Sequence, residues 1–400
     1  MELTLLGTGA PDGLPRPECP CAACALARGA GARASTALLV DGALLLDLTP
    51  DAVFAAARAG HSLSGVRQVL LTHPHDGPAV ELPAGLPPAG RVPDGRELTL
   101  ISGHRVRAVP MDAPGTGYEV VGPEGSRLLY LPRGAAPAGL PDRVGEPYDM
   151  VVGDVVGRPD AVARLRAAGA VGPATGIVAV HLDHDAPPGA ELGRRLAAAG
   201  ARAVPDGTTL VVGEAPEAPA VPRRTLVTGG ARSGKSVEAE RRLETFPEVV
   251  YVATGGDREG DADWAARVGL HRERRPAVWR TEETCELAEL LAADGPPLLI
   301  DCLSLWLTDA MDRVGAWDDA AWAGGGEEAL RARTAELVAA VRATRRTVVA
   351  VTNETGSGVV PATAAGRRFR DELGRLNAAV AAECEQVLLV VAGQALTLRG

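Results

Sequence analysis

Lysine is almost absent from this 400-residue chain: of 41 Lys and Arg residues, only position 235 is Lys. Aromatic residues are scarce at 3%. Positive charge is in deficit, and the net charge is −10. A non-specific nucleic-acid binder would present a basic surface, so that class is disfavoured. No apolar run approaches the roughly 18 uncharged residues of a membrane span. The opening MELTLLGTGAPDG lacks the charged start and long apolar core of a signal peptide. Together these absences predict a cytoplasmic protein with no nucleic-acid partner and no membrane span. In that compartment the six cysteines are expected as thiols or metal ligands rather than disulfides.

The remaining composition, 46% apolar and 23% charged, is that of a globular protein. The length suits two domains, each with a sizeable core. The stretch GEAPEAPAVPRR is rich in Pro, Ala and Glu and reads as a semi-stiff linker. Residue types sort across it. Six of the seven histidines precede it (His61, His73, His75, His104, His181 and His184), whereas His271 and all five Trp follow. The expected division is a domain over 1–212, a linker over 213–223 and a domain over 224–400.

The first half alternates short apolar runs (LTLLG, ALLLDL, SRLLYL, YDMVVGDVV, GIVAVHL) with turn residues and helical stretches such as DAVFAAARAG. This predicts strand-rich α/β layers with polar residues at strand ends. The second half alternates continuous apolar strands with helices near 235–246, 261–273, 326–345 and 361–384. That pattern predicts a mostly parallel sheet with helices on both faces.

The lone lysine lies in GGARSGKS, residues 229–236. The stretch matches G-x-x-x-x-G-K-[ST] between an expected strand and an expected helix, the context a phosphate-binding loop requires. Gly229, Gly230 and Gly234 let the backbone of Ala231, Arg232 and Ser233 turn its N–H groups inward on phosphate oxygens. Lys235 supplies a compact charge to the β and γ phosphates where a planar Arg fork fits less well. Ser236 is the expected Mg²⁺ ligand. Asp301 ends the apolar run PPLLID and reads either as a second Mg²⁺ donor or as a helix cap. Downstream, His271 sits among Arg267, Arg272, Arg274, Arg275 and Arg280. Clustered Arg suits a phosphorylated ligand and favours a neutral imidazole, a competent nucleophile toward phosphorus. A solvated basic helix face is the alternative. Glu354 follows the strand RTVVAVTN and Asn353 flanks it; they read either as groups orienting a substrate or a metal water, or as turn residues. Arg370 and Asp371 could equally be a surface charge pair.

Six stretches in this order, TGGARSGKS, YVAT, AARVGLHRERRPAVWRT, LLIDCLSLWLTD, VTNETGSGVVP and RRFRDELGRLN, resemble the bifunctional adenosylcobinamide kinase / adenosylcobinamide-phosphate guanylyltransferase family. The resemblance covers 224–400. It implies phosphorylation of adenosylcobinamide with ATP or GTP, then transfer of GMP from GTP through a guanylylated histidine, which maps onto His271. It also implies Arg272 and Arg275 at the nucleotide, catalytic roles for Lys235, Asp301 and Glu354, and a homo-oligomer.

In the first half, CPCAAC places Cys19, Cys21 and Cys24 in a spacing suited to one tetrahedral Zn²⁺ that still needs a fourth ligand. VAVHLDHD offers His181 and His184, and LLTHPHDG offers His73 and His75. With Asp47, this half resembles the metallo-β-lactamase fold and its phosphoribosyl cyclic phosphodiesterase branch. That implies an αβ/βα sandwich, His184 completing the structural Zn²⁺ site, and a second site from His73, His75, Asp154 and His181. The sequence departs from that pattern. Gly77 and Pro78 stand where Asp and His would be needed, Asp76 comes one place early, and only Asp112 lies where a bridging His is expected. A degenerate metal-binding scaffold follows. The alternatives are a metal-dependent phosphodiesterase or phosphatase in this half, or a nucleotide-switched regulatory module across the chain.

Overall fold

The computed structural model of the chain describes residues 1–73, 81–140, 146–214, 221–255, 269 and 275–400. They form two compact units, Met1–Val221 and Pro222–Gly400.

In the first unit, the described residues form two sheets. One runs in the order Thr208–Val211, Glu2–Gly7, Ala37–Val40, Leu44–Leu46, Gln68–Leu70, Ala89–Gly90. The other runs Ala201–Arg202, Gly176–Ala179, Met150–Gly153, Arg127–Tyr130, Thr116–Val121, Arg105–Pro110, Glu97–Thr99. Side chains alternate faces along a strand, and the clusters follow that period. Leu3, Leu5, Leu38 and Leu46 meet Val106, Tyr118, Leu128 and Val152 in one buried layer between the sheets. Leu6, Leu39 and Leu45 point the other way and pack on Ala52 and Ala56 of the helix Ala52–Arg58. The opposite outer face, Leu129, Val151 and Ile177, packs on Val162 and Leu165 of Pro159–Ala167 and on Leu196 of Ala190–Ala198. The expected αβ/βα sandwich is therefore present as helix, sheet, sheet, helix. In the hairpin Arg105–Pro110 with Thr116–Val121, Arg105 and Arg107 alternate with buried Val106 and Ala108, the period of a strand with one face in the core.

The second unit has one sheet, ordered Arg280–Glu283, Val250–Ala253, Leu298–Asp301, Val348–Asn353, Arg224–Gly229, Gln386–Val391, Gln394–Arg399. All neighbours are parallel except the last pair. One face, with Leu226, Val252, Ile300 and Ala350, lies under Leu303–Arg313, Glu327–Ala343 and Ala364–Ala382. The other, with Val227, Tyr251, Leu299 and Val351, lies under Lys235–Arg241. That helix is shorter than the sequence pattern predicts: turns replace it after Arg242. The register pairs Gly229 with Asn353, Asp301 with Val351 and Ala253 with Asp301. It thereby gathers the polar strand ends at the carboxyl edge, where open α/β sheets place their ligands.

Candidate functional site

The strand Arg224–Gly229 ends in a loop that folds back on itself. Arg232 (φ +58°) and Gly234 (φ +97°) take left-handed backbone, the conformation that lets successive N–H groups converge. Gly229 is required by space: a Cβ there would lie 2.5 Å from the Val390 carbonyl oxygen and 2.6 Å from Ser233 Oγ. Lys235 Nζ donates to the Gly230 carbonyl at 3.1 Å, across the loop mouth. Gly393 N donates to the Ser233 carbonyl at 2.9 Å, and Glu354 N to that of Gly229 at 3.1 Å. Ala231 and Arg232 are exposed, and Ser236 is half-buried beside Lys235. Thr228 Oγ1, Ser233 Oγ and Thr355 Oγ1 are buried with no hydrogen-bond partner among the described residues. Such orphans cost about 1–3 kcal/mol each, and of the three only Ser233 belongs to the loop itself.

Asp301 lies two strands away. Tyr251 Oη donates to its Oδ2 at 2.9 Å. Burial, then the Asp301 charge, pushes the Tyr251 phenol well above its usual value, so it remains a donor. Lys235 is close enough for its charge to act on the Cys302 thiol, which burial raises. Glu354 Oε1 accepts from Gly356 N at 2.8 Å, closing a turn. Asn353 donates to Ser304 Oγ at 2.8 Å, and Asn377 donates to the Asn353 carbonyl at 2.9 Å. Arg370 reaches the Gly356 carbonyl at 2.6 Å. The Arg275 guanidinium stacks 3.6 Å over the Tyr251 ring, and its Nη1 donates to Thr281 Oγ1 at 3.2 Å. His271 and Arg272 lie outside the described residues. Tyr251, Ser304 and Asn377 lie within the resembling stretches YVAT, LLIDCLSLWLTD and RRFRDELGRLN, but no role was assigned to them from the sequence.

In the first unit, Cys19, Cys21, Cys24 and His184 bring their ligand atoms within 4.8 Å of one another. His184 Nδ1 lies 3.2 Å from Cys19 Sγ and 3.8 Å from Cys21 Sγ. Donors of a tetrahedral zinc site with bonds of about 2.3 Å to sulfur lie about 3.5–4 Å apart, so the set fits the ion in type and spacing. Cys24 N–H donates to Cys21 Sγ at 3.4 Å, and chiefly through this bond the Cys21 thiol falls to about 7. All six cysteines are free thiols.

His73, Asp154 and His181 line a separate cavity of about 610 Å³ with Thr36, Asp47 and Arg133. Among the described residues, His73, Asp154 and His181 do not gather within the 4.8 Å that unites the cysteine cluster; His75 and Asp76 lie outside them. Buried His181 is held down to about 3 by desolvation and then by the nearby His73. Asp47 accepts from Thr72 N at 2.7 Å and Tyr130 Oη at 2.7 Å. Asp154 accepts from Gly157 N at 2.8 Å and Gly134 N at 3.2 Å, and burial raises its pKa. Asp112 is not in the cavity lining. It pairs with Arg158 at 2.7 Å and accepts from Ala136 N at 2.9 Å. Asp183 joins the two regions: its Oδ2 accepts from both Arg16 and Arg133, and its Oδ1 accepts from His184 N.

Residues 225–398, the second unit almost end to end, match the family described as cobinamide kinase / cobinamide phosphate guanyltransferase. The bifunctional adenosylcobalamin biosynthesis protein CobP of Pseudomonas aeruginosa is 43% identical over 182 residues, 44% of this chain and 98% of that relative. The chain belongs to this family. CobU of Salmonella typhimurium, carrying the same bifunctional description, is 40% identical over 178 residues, 42% of this chain and 95% of its own length. The cobinamide kinase relatives thus correspond to less than half of this chain. Among solved structures, a diphosphatase of the PhnP family covers 52% of this chain and 96% of its own, at 20% identity and TM-score 0.40. Zinc-bound PqqB from Methylobacterium extorquens covers 53% and 100%, at 19% identity and TM-score 0.40.

Proposed function

We propose that the second unit phosphorylates the aminopropanol hydroxyl of adenosylcobinamide with ATP or GTP. It then transfers GMP to the new phosphate, giving adenosylcobinamide-GDP. The observation that carries this reading is the closed loop Gly229–Ser236, with Lys235 across its mouth, in a chain of this family.

In the first reaction the loop N–H groups and Lys235 hold the nucleotide phosphates, and the transfer needs little beyond positioning and charge neutralisation. Mg²⁺, when bound, supplies part of that neutralisation, with Ser236 and Asp301 as oxygen donors. In the second, a ring nitrogen of His271 bonds to the α-phosphorus of GTP and pyrophosphate leaves. An oxygen of adenosylcobinamide phosphate then bonds to that phosphorus, the P–N bond breaks and the imidazole is restored. Arg272 and Arg275 are assigned to the nucleotide phosphates and Glu354 to the substrate hydroxyl.

For the first unit, domain 1–212 before a linker 213–223, the proposal is a scaffold carrying one structural Zn²⁺ on Cys19, Cys21, Cys24 and His184. Gly77 and Pro78, where a further Asp and His would be needed, support this over a two-metal hydrolase. A cytoplasmic setting and a homo-oligomer belong to the same reading. No described helix is long and apolar enough to cross a membrane.

The test is product analysis. Adenosylcobinamide with ATP and Mg²⁺ should give a product heavier by one phosphoryl group, and added GTP should convert it to the GDP derivative. If neither mass appears while nucleotide binds, the chain is a nucleotide-binding module instead.

A further inference from the structure

Tyr251 does more than fill the core. It stands in the strand Val250–Ala253 between Leu298–Asp301 and Arg280–Glu283, paired with Leu299 on one side and Thr281 on the other. Asp301 is two residues further along the neighbouring strand, opposite Ala253. The two side chains therefore share a face as diagonal neighbours, a separation that an aromatic ring spans. The phenol completes the span with its 2.9 Å bond to Asp301 Oδ2. On the other side Thr281 receives the Arg275 guanidinium at 3.2 Å, which lays that group 3.6 Å over the same ring. Tyr251 is 5% exposed and its bond to Asp301 is part-buried, where a hydrogen bond is stronger than in water; Thr281, on the far side, is exposed.

One side chain thus touches Asp301, two strands from the phosphate loop at the same edge of the sheet, through its hydroxyl. Through its ring it touches Arg275, four residues after His271. We propose that Tyr251 is the positioning residue of this enzyme, with a separable task at each end. The hydroxyl fixes the plane of the Asp301 carboxylate for phosphoryl transfer. The ring seats Arg275, which the proposed function assigns to the nucleotide phosphates. This rests on the proposed function above and assigns a role within it.

The separation makes the test specific. Tyr251→Phe keeps the ring and removes the hydroxyl. The expected result is a fall of about 5- to 30-fold in kcat for adenosylcobinamide phosphorylation, with nucleotide KM within about twofold. The Mg²⁺ concentration for half-maximal rate should rise, and the yield of covalent GMP adduct should match the parent's. Tyr251→Leu removes the ring as well and should lose the adduct too. In the Asp301→Asn background, Tyr251→Phe should cost little more, because the two act as one unit. Thermal melting confirms that each variant is folded. Equal kcat and Mg²⁺ dependence in the parent and Tyr251→Phe would overturn the hydroxyl's role. A full adduct yield in a folded Tyr251→Leu would overturn the ring's. A parent that forms neither product nor adduct would overturn the proposed function itself, a result distinct from either.

Discussion

The single lysine of the chain, Lys235, lies with its Nζ 3.1 Å from the carbonyl oxygen of Gly230, five residues back across the loop. This contact draws the side chain back over the loop and puts a positive charge at its mouth. In a protein whose other basic residues are all Arg, the position demands a slim, single-point cation.

Lys235→Arg should therefore fail as a conservative change. The guanidinium fork is wider than the mouth that Gly230 defines. We expect kinase turnover to fall about 100-fold or more, as when one preorganised donor to a developing charge is lost. The half-buried side chain should leave melting within a few degrees of the parent. Steady-state kinetics with ATP and a thermal melt check both.

Removing one ligand from the cysteine cluster should be structural in effect. Purified protein should hold one Zn²⁺ per chain by elemental analysis, and Cys24→Ser or His184→Ala should hold none. Cys24 is 3% exposed, and the loop it anchors has little other core. A chelator should therefore lower the melting temperature of the parent and leave that of the variants unchanged. Kinase turnover at a temperature where all are folded should be untouched. A second equivalent of metal bound through His73, Asp154 and His181 would contradict the scaffold reading.

Arg158 offers a pH-dependent test in the first unit. It pairs with Asp112 at 2.7 Å and Asp160 at 2.8 Å, and donates to the Gly134 carbonyl at 2.6 Å. Its hydrogen bonds hold the Asp112 carboxyl below the usual carboxylate range and lower Asp160 as well. Carboxylates with depressed folded-state values stabilise the protein above their unfolded value of about 4, and lose that contribution as pH falls through the folded values. Arg158→Met should thus cost about 1–2 kcal/mol at pH 7, reduced from the buried-pair figure because these groups are partly exposed. The gap to the parent should narrow steadily below about pH 4. Urea unfolding at several pH values measures it.

How much could be read in advance varies with the range of the interaction. The phosphate loop and the CPCAAC cluster were legible because their chemistry lies in contiguous residues whose spacing sets their geometry. His184 was reachable only through family resemblance, since it stands 165 residues from Cys19. Tyr251 stood in one of the resembling stretches, YVAT, but its task was not legible: a tyrosine in the apolar run EVVYVATGG reads as core. Its partner Asp301 is fifty residues on, brought near only by the parallel register. Asp112 was weighed as a metal donor because a carboxylate in a turn carries no mark of its partner. The structure ties it to Arg158 instead. Asn353 closes the strand Val348–Asn353 and Glu354 follows it, yet hydrogen bonds to Ser304 and Gly356 already engage them.

The central claim is guanylyl transfer through His271, and covalent labelling tests it most directly. The protein is incubated with GTP carrying its label at the α-phosphate, denatured, and examined for retained label that acid removes and base does not, as a phosphoramidate requires. The account predicts label on the parent and none on His271→Ala. Label persisting on folded His271→Ala, or none on a parent that binds GTP, would contradict it.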